Sequence, residues 1–228
     1  MNAASFESGG AVAPGSYAAI FGSGLSDDTD MAPSNTLPMA IGYAFVSFDI
    51  PSAGISVPGH LTYVSPSQVN VQVPWELQGR TSAQVKVTID FSNGNVVSVP
   101  LADYAPALFE IGSGMAAALD GSLSLVTSAN PAVHGRTVHL FANGLGPVTN
   151  QPASGGPAPL SPLAGTTTLP VVNVGGRNAA VSGSYLSPGT AGLYQIDVTV
   201  PPDLPAGTYD VTVSIGGKTS KISHLPVR

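Results

Sequence analysis

Four landmarks occur twice along this chain, in the same order. GSYAAIFGSGL (15–25) matches GRTVHLFANGL (135–145), with Gly15/Gly135, Phe21/Phe141, Gly24/Gly144 and Leu25/Leu145 identical at a constant offset. Tyr63-Val-Ser-Pro66 has a counterpart in Tyr185-Leu-Ser-Pro188, and QVNVQVP (68–74) has one in QIDVTVP (195–201). The alternating runs VKVTI (85–89) and VTVSI (211–215) close the two sets. An ordered recurrence marks a duplication, and it sets the size of the folding unit before any element is assigned. Each half comes to roughly 90–100 residues, the usual size of an immunoglobulin-like sandwich.

The repeated segments have a period of two. Val69, Val71 and Val73 fall on one face of an extended chain, and Gln68, Asn70 and Gln72 on the other. No segment keeps an apolar period of 3.6 over three turns, so helix content is expected to be very low. Asn93-Gly94 predicts a tight hairpin between two apolar runs, because this pair accepts the positive φ values of a type I′ turn. Gly175-Gly176 and Gly216-Gly217 have the same role in the second half. The segment between the halves contains Asp120-Gly121 flanked by MAAAL and SLSLV, which reads as a bridging hairpin too apolar to be a flexible linker. The expected architecture is therefore all-β: two tandem immunoglobulin-like β-sandwich domains, 1–104 and 131–228, rigidly joined through a bridging hairpin at 105–130. Residues 148–170, rich in Pro, Gly, Ser and Thr, read as a surface loop. Residues 47–60 read as an insert that lengthens a loop of the first domain.

Charge narrows the partners. Only 9% of the residues are charged, and 7 Lys+Arg against 13 Asp+Glu give a formal net charge of −6. A phosphate backbone needs a basic stripe, so nucleic acid is excluded as a partner. No apolar run reaches the roughly 18 residues that a membrane-spanning helix needs, so no membrane insertion is expected. The absence of cysteine removes disulfide frameworks, thiol catalysis and Cys-type zinc sites. Solubility then rests on Ser, Thr, Asn and Gln, which suits an exported β protein in an extracellular or cell-surface location. The first fifteen residues have neither the basic nor the apolar region of a signal peptide, so export implies a leader outside this sequence.

The repeat unit, Gly-x-x-x-x-[Ile/Leu]-Phe-x-x-Gly-Leu followed by a strand ending in Val-Pro and a glycine turn, resembles immunoglobulin-like domains of the IPT/TIG type. NAASF (2–6), APGSYAAIFGSGL (13–25), YVSPSQVNVQVPWE (63–76), ANPAVHGRTVHLFANGLGPV (129–148) and GLYQIDVTVP (192–201) extend the resemblance over nearly the whole chain. Together they are similar to an uncharacterised C-terminal domain family of secreted acidobacterial proteins. That resemblance implies a sandwich fold and a place at the end of a large exported protein. It implies no catalytic residues, and function has to be argued from a site.

Chemistry-bearing constellations are few. Of the four histidines, His134 and His139 are five apart, so on a strand they point to opposite faces and do not chelate together. The run SDDTD gathers Asp27, Asp28 and Asp30 in a loop suited to calcium, but no EF-hand glycine and glutamate follow, and a solvated acidic loop is the stronger reading. Ser23 and Ser113 lie in glycine-rich contexts that do not complete Gly-x-Ser-x-Gly, which leaves only a hydrolase whose site the fold itself assembles. Trp75, the only tryptophan, stands beside Gln72 and Glu76 and near Tyr63, a set able to stack on and hydrogen-bond a sugar. Against this, large aromatics are usually buried, and the second half has Pro202 at the place of Trp75. The reading is a noncatalytic structural or adhesion module meeting extracellular polysaccharide or a cell-surface protein. A carbohydrate-binding module and a hydrolase are the alternatives, and no cofactor other than calcium is suggested.

Overall fold

The computed structural model describes residues 1–228, and its only helical pieces are 3-10 turns at Pro51–Ala53 and Trp75–Leu77. In the first half one sheet sets Tyr17–Phe21, Gln68–Gln72, His60–Ser65 and Asp30–Met31 side by side. The facing sheet runs Val97–Pro100, Ser82–Ile89, Ala44–Ile50 and Ala40–Ile41, with Ile55–Pro58 added along Ala44–Ile50. The period-two alternation sends Val69, Val71 and Val73 inward, where they meet Val46, Phe48 and Val85.

In the second half Thr137–Asn143, Tyr194–Thr199 and Arg177–Leu186 form one face, and Val171–Val174, Gly207–Ile215 and Ser223–Val227 form the other. Arg177–Leu186 belongs to both, pairing first with Val171–Val174 and then with Tyr194–Thr199, so it closes that corner of the sandwich. The bridging segment is built into this half. Ala107–Leu108 and Ala118–Asp120 pair along the edge of Thr137–Asn143, and Met115 bridges to His224 on the facing sheet. Its turn is held by Asp120, whose carboxylate accepts from the Ser122 and Ser124 backbone N–H, the Ser122 hydroxyl and the Asn130 amide. These hydrogen bonds, with that of Ser122 foremost, hold its pKa well below the ordinary carboxylate value.

The two halves share the register of the backbone. Phe21 lies opposite Gln68 and Phe141 opposite Gln195. Val12 makes a parallel bridge to Leu101, as Ala132 does to Val227. A β-bulge follows Leu61 in one half and Val181 in the other. At the bulges the Thr62 and Ser182 hydroxyls donate to the carbonyls of Asn70 and Asp197, each at 3.3 Å. This register corrects one landmark. Tyr63 is equivalent to Gly183 rather than to Tyr185, because Tyr63 faces Asn70 while Gly183 faces Asp197. The two Tyr-x-Ser-Pro motifs are therefore two residues out of step, and the longer loop 187–193 absorbs the difference.

Three further expectations change. The tight turn falls at Asp90-Phe91, both at positive φ (44° and 64°), with Ile89 opposite Ser92, and not at Asn93-Gly94. Gly216-Gly217 makes the equivalent turn in the second half, so the inherited register overrode the local turn signal. Residues 47–60 are a hairpin of sheet strands, Ala44–Ile50 against Ile55–Pro58, and not a lengthened loop. Residues 148–170 leave the surface at several points, burying Ala158 and Ala164 and joining the two halves.

Candidate functional site

The amide row that begins at Gln68 divides in two. Gln68 donates to Asn70 Oδ1 at 2.8 Å on the outer face of the sheet. Gln72, on the same face, is fully buried because the 148–170 segment covers it. Its Oε1 accepts from the Gly155 backbone N–H at 2.6 Å, and its Nε2 donates to the Gly15 carbonyl at 3.2 Å. One side chain thus satisfies a backbone group in each half, as buried peptide groups require. Leu37 N–H donates to the Gly155 carbonyl at 2.8 Å, so the same glycine is held from both sides.

Trp75 opens the 3-10 turn after Pro74 and is only 4% exposed. Its ring packs with the hydrophobic core of the second half. The outer edge of its six-membered ring also lies against Gly15, where any Cβ would collide with the indole. Its backbone N–H donates to Ser154 Oγ at 2.9 Å, and that hydroxyl donates to Glu76 Oε2 at 2.7 Å. An indole covered in this way presents no face for a sugar ring, so Trp75 and Gln72 belong to the joint between the halves, the packing role that the sequence favoured over a glycan platform. Of the candidate set only Glu76 is exposed, and Tyr63 is half-buried opposite Asn70, across the sheet. His60, opposite Gln72, is 8% exposed with Nδ1 unpartnered, and burial lowers its pKa against the opposing pull of the Glu76 carboxylate.

A second latch lies on the neighbouring strand, at Tyr17, the cross-strand partner of Gln72. Asn143, fully buried, accepts from Tyr17 N–H at 2.9 Å and donates to the Tyr17 carbonyl at 2.8 Å. Its amide therefore pairs with Tyr17 as a neighbouring strand would. It donates as well to Asn2 Oδ1, while Asn2 donates to the Ala105 carbonyl. Desolvation here pushes the Tyr17 phenol up to about 12.

The outer face of the second sandwich carries a cluster that the sequence did not reveal as one. Gln195 donates to Asp197 Oδ1 at 2.8 Å, repeating the Gln68–Asn70 bond. Tyr185 donates to Asp197 Oδ2 at 2.6 Å and accepts from Gln195 at 2.9 Å. Its ring reaches Asp197 by lying over Gly183, whose missing side chain leaves the space. His139 Nδ1 sits 2.6 Å from Asp197 Oδ1. Both N–H groups of Gln195 are spent on Asp197 and Tyr185, so Nδ1 of His139 carries the proton and donates. Burial works against the Asp197 charge, but the three donors and the neighbouring imidazole outweigh it and lower its pKa. Burial and the Asp197 charge together raise the Tyr185 phenol. The side chains of His139 and Asp197 keep 20% and 18% of their surface, so the cluster is reachable from solvent. The neighbours within hydrogen-bond distance of His139 Nδ1 are Asp197 and Gln195, with no serine or threonine hydroxyl among them. The usable signal was the exchange of Asn70 for Asp197 in an otherwise repeated strand, together with a histidine at the position equivalent to Ala19.

Asp27, Asp28 and Asp30 are all exposed. No group of three or more His, Asp or Glu side chains in the molecule converges to hold a metal ion.

No family model matches the chain. No curated protein matches it either. Among solved structures it is similar to SGBP-B of the Bacteroides ovatus mixed-linkage glucan utilization locus, in complex with a mixed-linkage heptasaccharide, at 13% identity and a TM-score of 0.36. That match covers 98% of this chain and 45% of the other, so the chain spans less than half the length of SGBP-B. Titin Ig tandem domains A164-A165 are similar at 12% identity over 96% of this chain and 90% of the other, with a TM-score of 0.22. The tandem Ig repeats of Dlar are similar at 16% identity over 96% and 93%, with a TM-score of 0.18.

Proposed function

We propose that this chain is a noncatalytic structural and adhesion module of a larger exported bacterial protein, acting outside the cell or at its surface. In this reading the sandwiches at 1–104 and 131–228, with the hairpin at 105–130, work as one stiff spacer that positions or attaches neighbouring domains. The observation that carries it is the joint: Gln72 and Asn143, both fully buried, bind backbone groups across it, and Trp75 of one half packs in the core of the other. The resemblance to IPT/TIG-type domains and to the acidobacterial C-terminal family supports the exported setting. The test is orientational. Residual dipolar couplings should fit a single alignment tensor for both sandwiches. The double variant Gln72→Ala/Asn143→Ala should require two, because it leaves buried peptide groups unpaired at a cost of about 1–3 kcal/mol each. Independent tensors in the unmodified protein would sink the spacer reading.

A second reading, a carbohydrate-binding face, is favoured by the solvent-reachable row of Tyr185, Gln195, Asp197 and His139. A fixed carboxylate and amide beside a phenol suit sugar hydroxyls. Titration with soluble β-glucans that moves the amide resonances of Asp197 and Gln195 would favour it, and unmoved resonances at millimolar sugar would remove it.

A further inference from the structure

We propose that His60 is a proton-operated release for the joint: charging its imidazole frees the turn at Gly155 from the first sandwich. The release deepens the spacer reading and rests on it. His60 opens the strand His60–Ser65 and stands opposite Gln72 on the outer face of its sheet. The second sandwich has Ala180 at the matching place, opposite Thr199 and exposed. In the first sandwich the 148–170 segment covers the spot. Gly155, at φ 76°, lies against the imidazole, where any Cβ would collide with Cδ2 and Cγ. The same glycine is the one that Gln72 and Leu37 hold, at 2.6 and 2.8 Å. Ring and latch therefore meet at one residue.

An apolar side chain would fill this place at less cost. Nδ1 of His60 is buried and has no hydrogen-bond partner. The neutral ring tolerates this by keeping its proton on Nε2, which leaves a bare lone pair at Nδ1. The imidazolium carries a proton on both nitrogens, so charging adds a buried N–H with no acceptor to a desolvated charge. Water reaches that N–H only if the cover moves, and the cover against this ring is the turn around Gly155.

Few charges can soften the effect. Residues 148–170, 187–193, 32–41 and 55–59 and the strand Gln68–Gln72 hold no titratable or charged side chain. Asp30 lies on the next strand, opposite Val64 and exposed. Glu76 pulls toward the charged ring, but its carboxylate is already engaged by Ser154 Oγ at 2.7 Å. Burial outweighs that pull and lowers the histidine below its ordinary 6.5. Once released, the ring returns to the ordinary value. The latch is therefore complete above about 6.5, and opening grows by about tenfold per pH unit below it until the lowered value is reached.

The test is amide exchange by NMR on the full chain at about pH 7 and about pH 5, read as protection relative to the unfolded-chain rate at each pH. Gly155 N–H, bonded to Gln72, should lose protection by about tenfold or more. Tyr17 N–H, bonded to Asn143 in the second latch, should change by less than about twofold. The His60 ring resonances should titrate with the midpoint of the Gly155 loss. His60→Gln, which cannot be charged, should keep Gly155 protection level between the two pH values. Level Gly155 protection in the unmodified chain, equal losses at Gly155 and Tyr17, or a loss that persists in His60→Gln each overturns the proposal. One alignment tensor with level Gly155 protection sinks the release alone, whereas two tensors at neutral pH sink the spacer reading and the release with it.

Discussion

The strands Gln68–Gln72 and Tyr194–Thr199 are the same strand used for two purposes. Both turn β-branched residues inward, Val69 and Val71 in one and Ile196 and Val198 in the other. Both lock a glutamine onto the Asx residue two places on. Their outer faces differ. The first ends in Gln72 and leads into Trp75, which the other half covers, while the second presents Asp197 with His139 and Tyr185 toward solvent. In a strand the two faces are independent, so a duplicated core remains intact while its outer face becomes a joint in one copy and a polar cluster in the other.

The sharpest way to break this comparison is at Trp75 and its counterpart. Trp75→Ala should cost about 3–5 kcal/mol in denaturant unfolding, because it empties a site packed in the core of the second half. Pro202→Ala, at an exposed position, should cost less than about 0.5 kcal/mol. The emission of Trp75 should be blue-shifted in the native protein and move to the red on unfolding. Equal costs at the two positions would remove the asymmetry of the joint.

Asp197 tests the other side of the comparison with a smaller effect. Asp197→Asn should destabilise by about 1–2 kcal/mol at pH 7, since three donors are organised around the carboxylate. The folded carboxyl has a lowered pKa, so its contribution is complete above the ordinary aspartate value of about 4 and is lost as pH falls through the lowered folded value. The stability difference between the native protein and Asp197→Asn should therefore be level from pH 7 down to about 5 and close below about 4. A constant difference down to the acid limit would show that the cluster is not held by charge.

Much of this was readable from the residues. Valines at alternate positions determined strands and faces, because burial of one face follows directly from the period of two. Four repeated landmarks pointed to a duplication, and three of them keep their register in the two halves. The failure at Tyr-x-Ser-Pro is physical: identity in a loop-bounded motif does not fix pairing when a longer turn lets the strand shift by two. Asn93-Gly94 misled for the same reason, since sheet register placed the turn at Asp90-Phe91. The joint was only half legible. The usual burial of a large aromatic suggested packing for Trp75, but nothing local marks Asn143 as a strand surrogate for Tyr17. His139, Tyr185 and Asp197 come from three strands, so only the fold brings them together.

The smallest effect tests the duplication itself. The Thr62 and Ser182 hydroxyls cap equivalent bulges through equally long bonds to Asn70 and Asp197. Thr62→Val and Ser182→Ala should each cost about 0.5–1 kcal/mol, the ordinary worth of one hydrogen bond, measured by urea unfolding. Ser182 is exposed and Thr62 half-buried, so Thr62→Val should be the larger of the two by a few tenths. A cost of several kcal/mol at one bulge and none at the other would mean that one hydroxyl supports the strand's pairing and the other merely decorates it. The bulges would then have converged in shape after the copies parted, whereas matched small costs keep the bulge as an inherited device that allows each middle strand to bend over its own core.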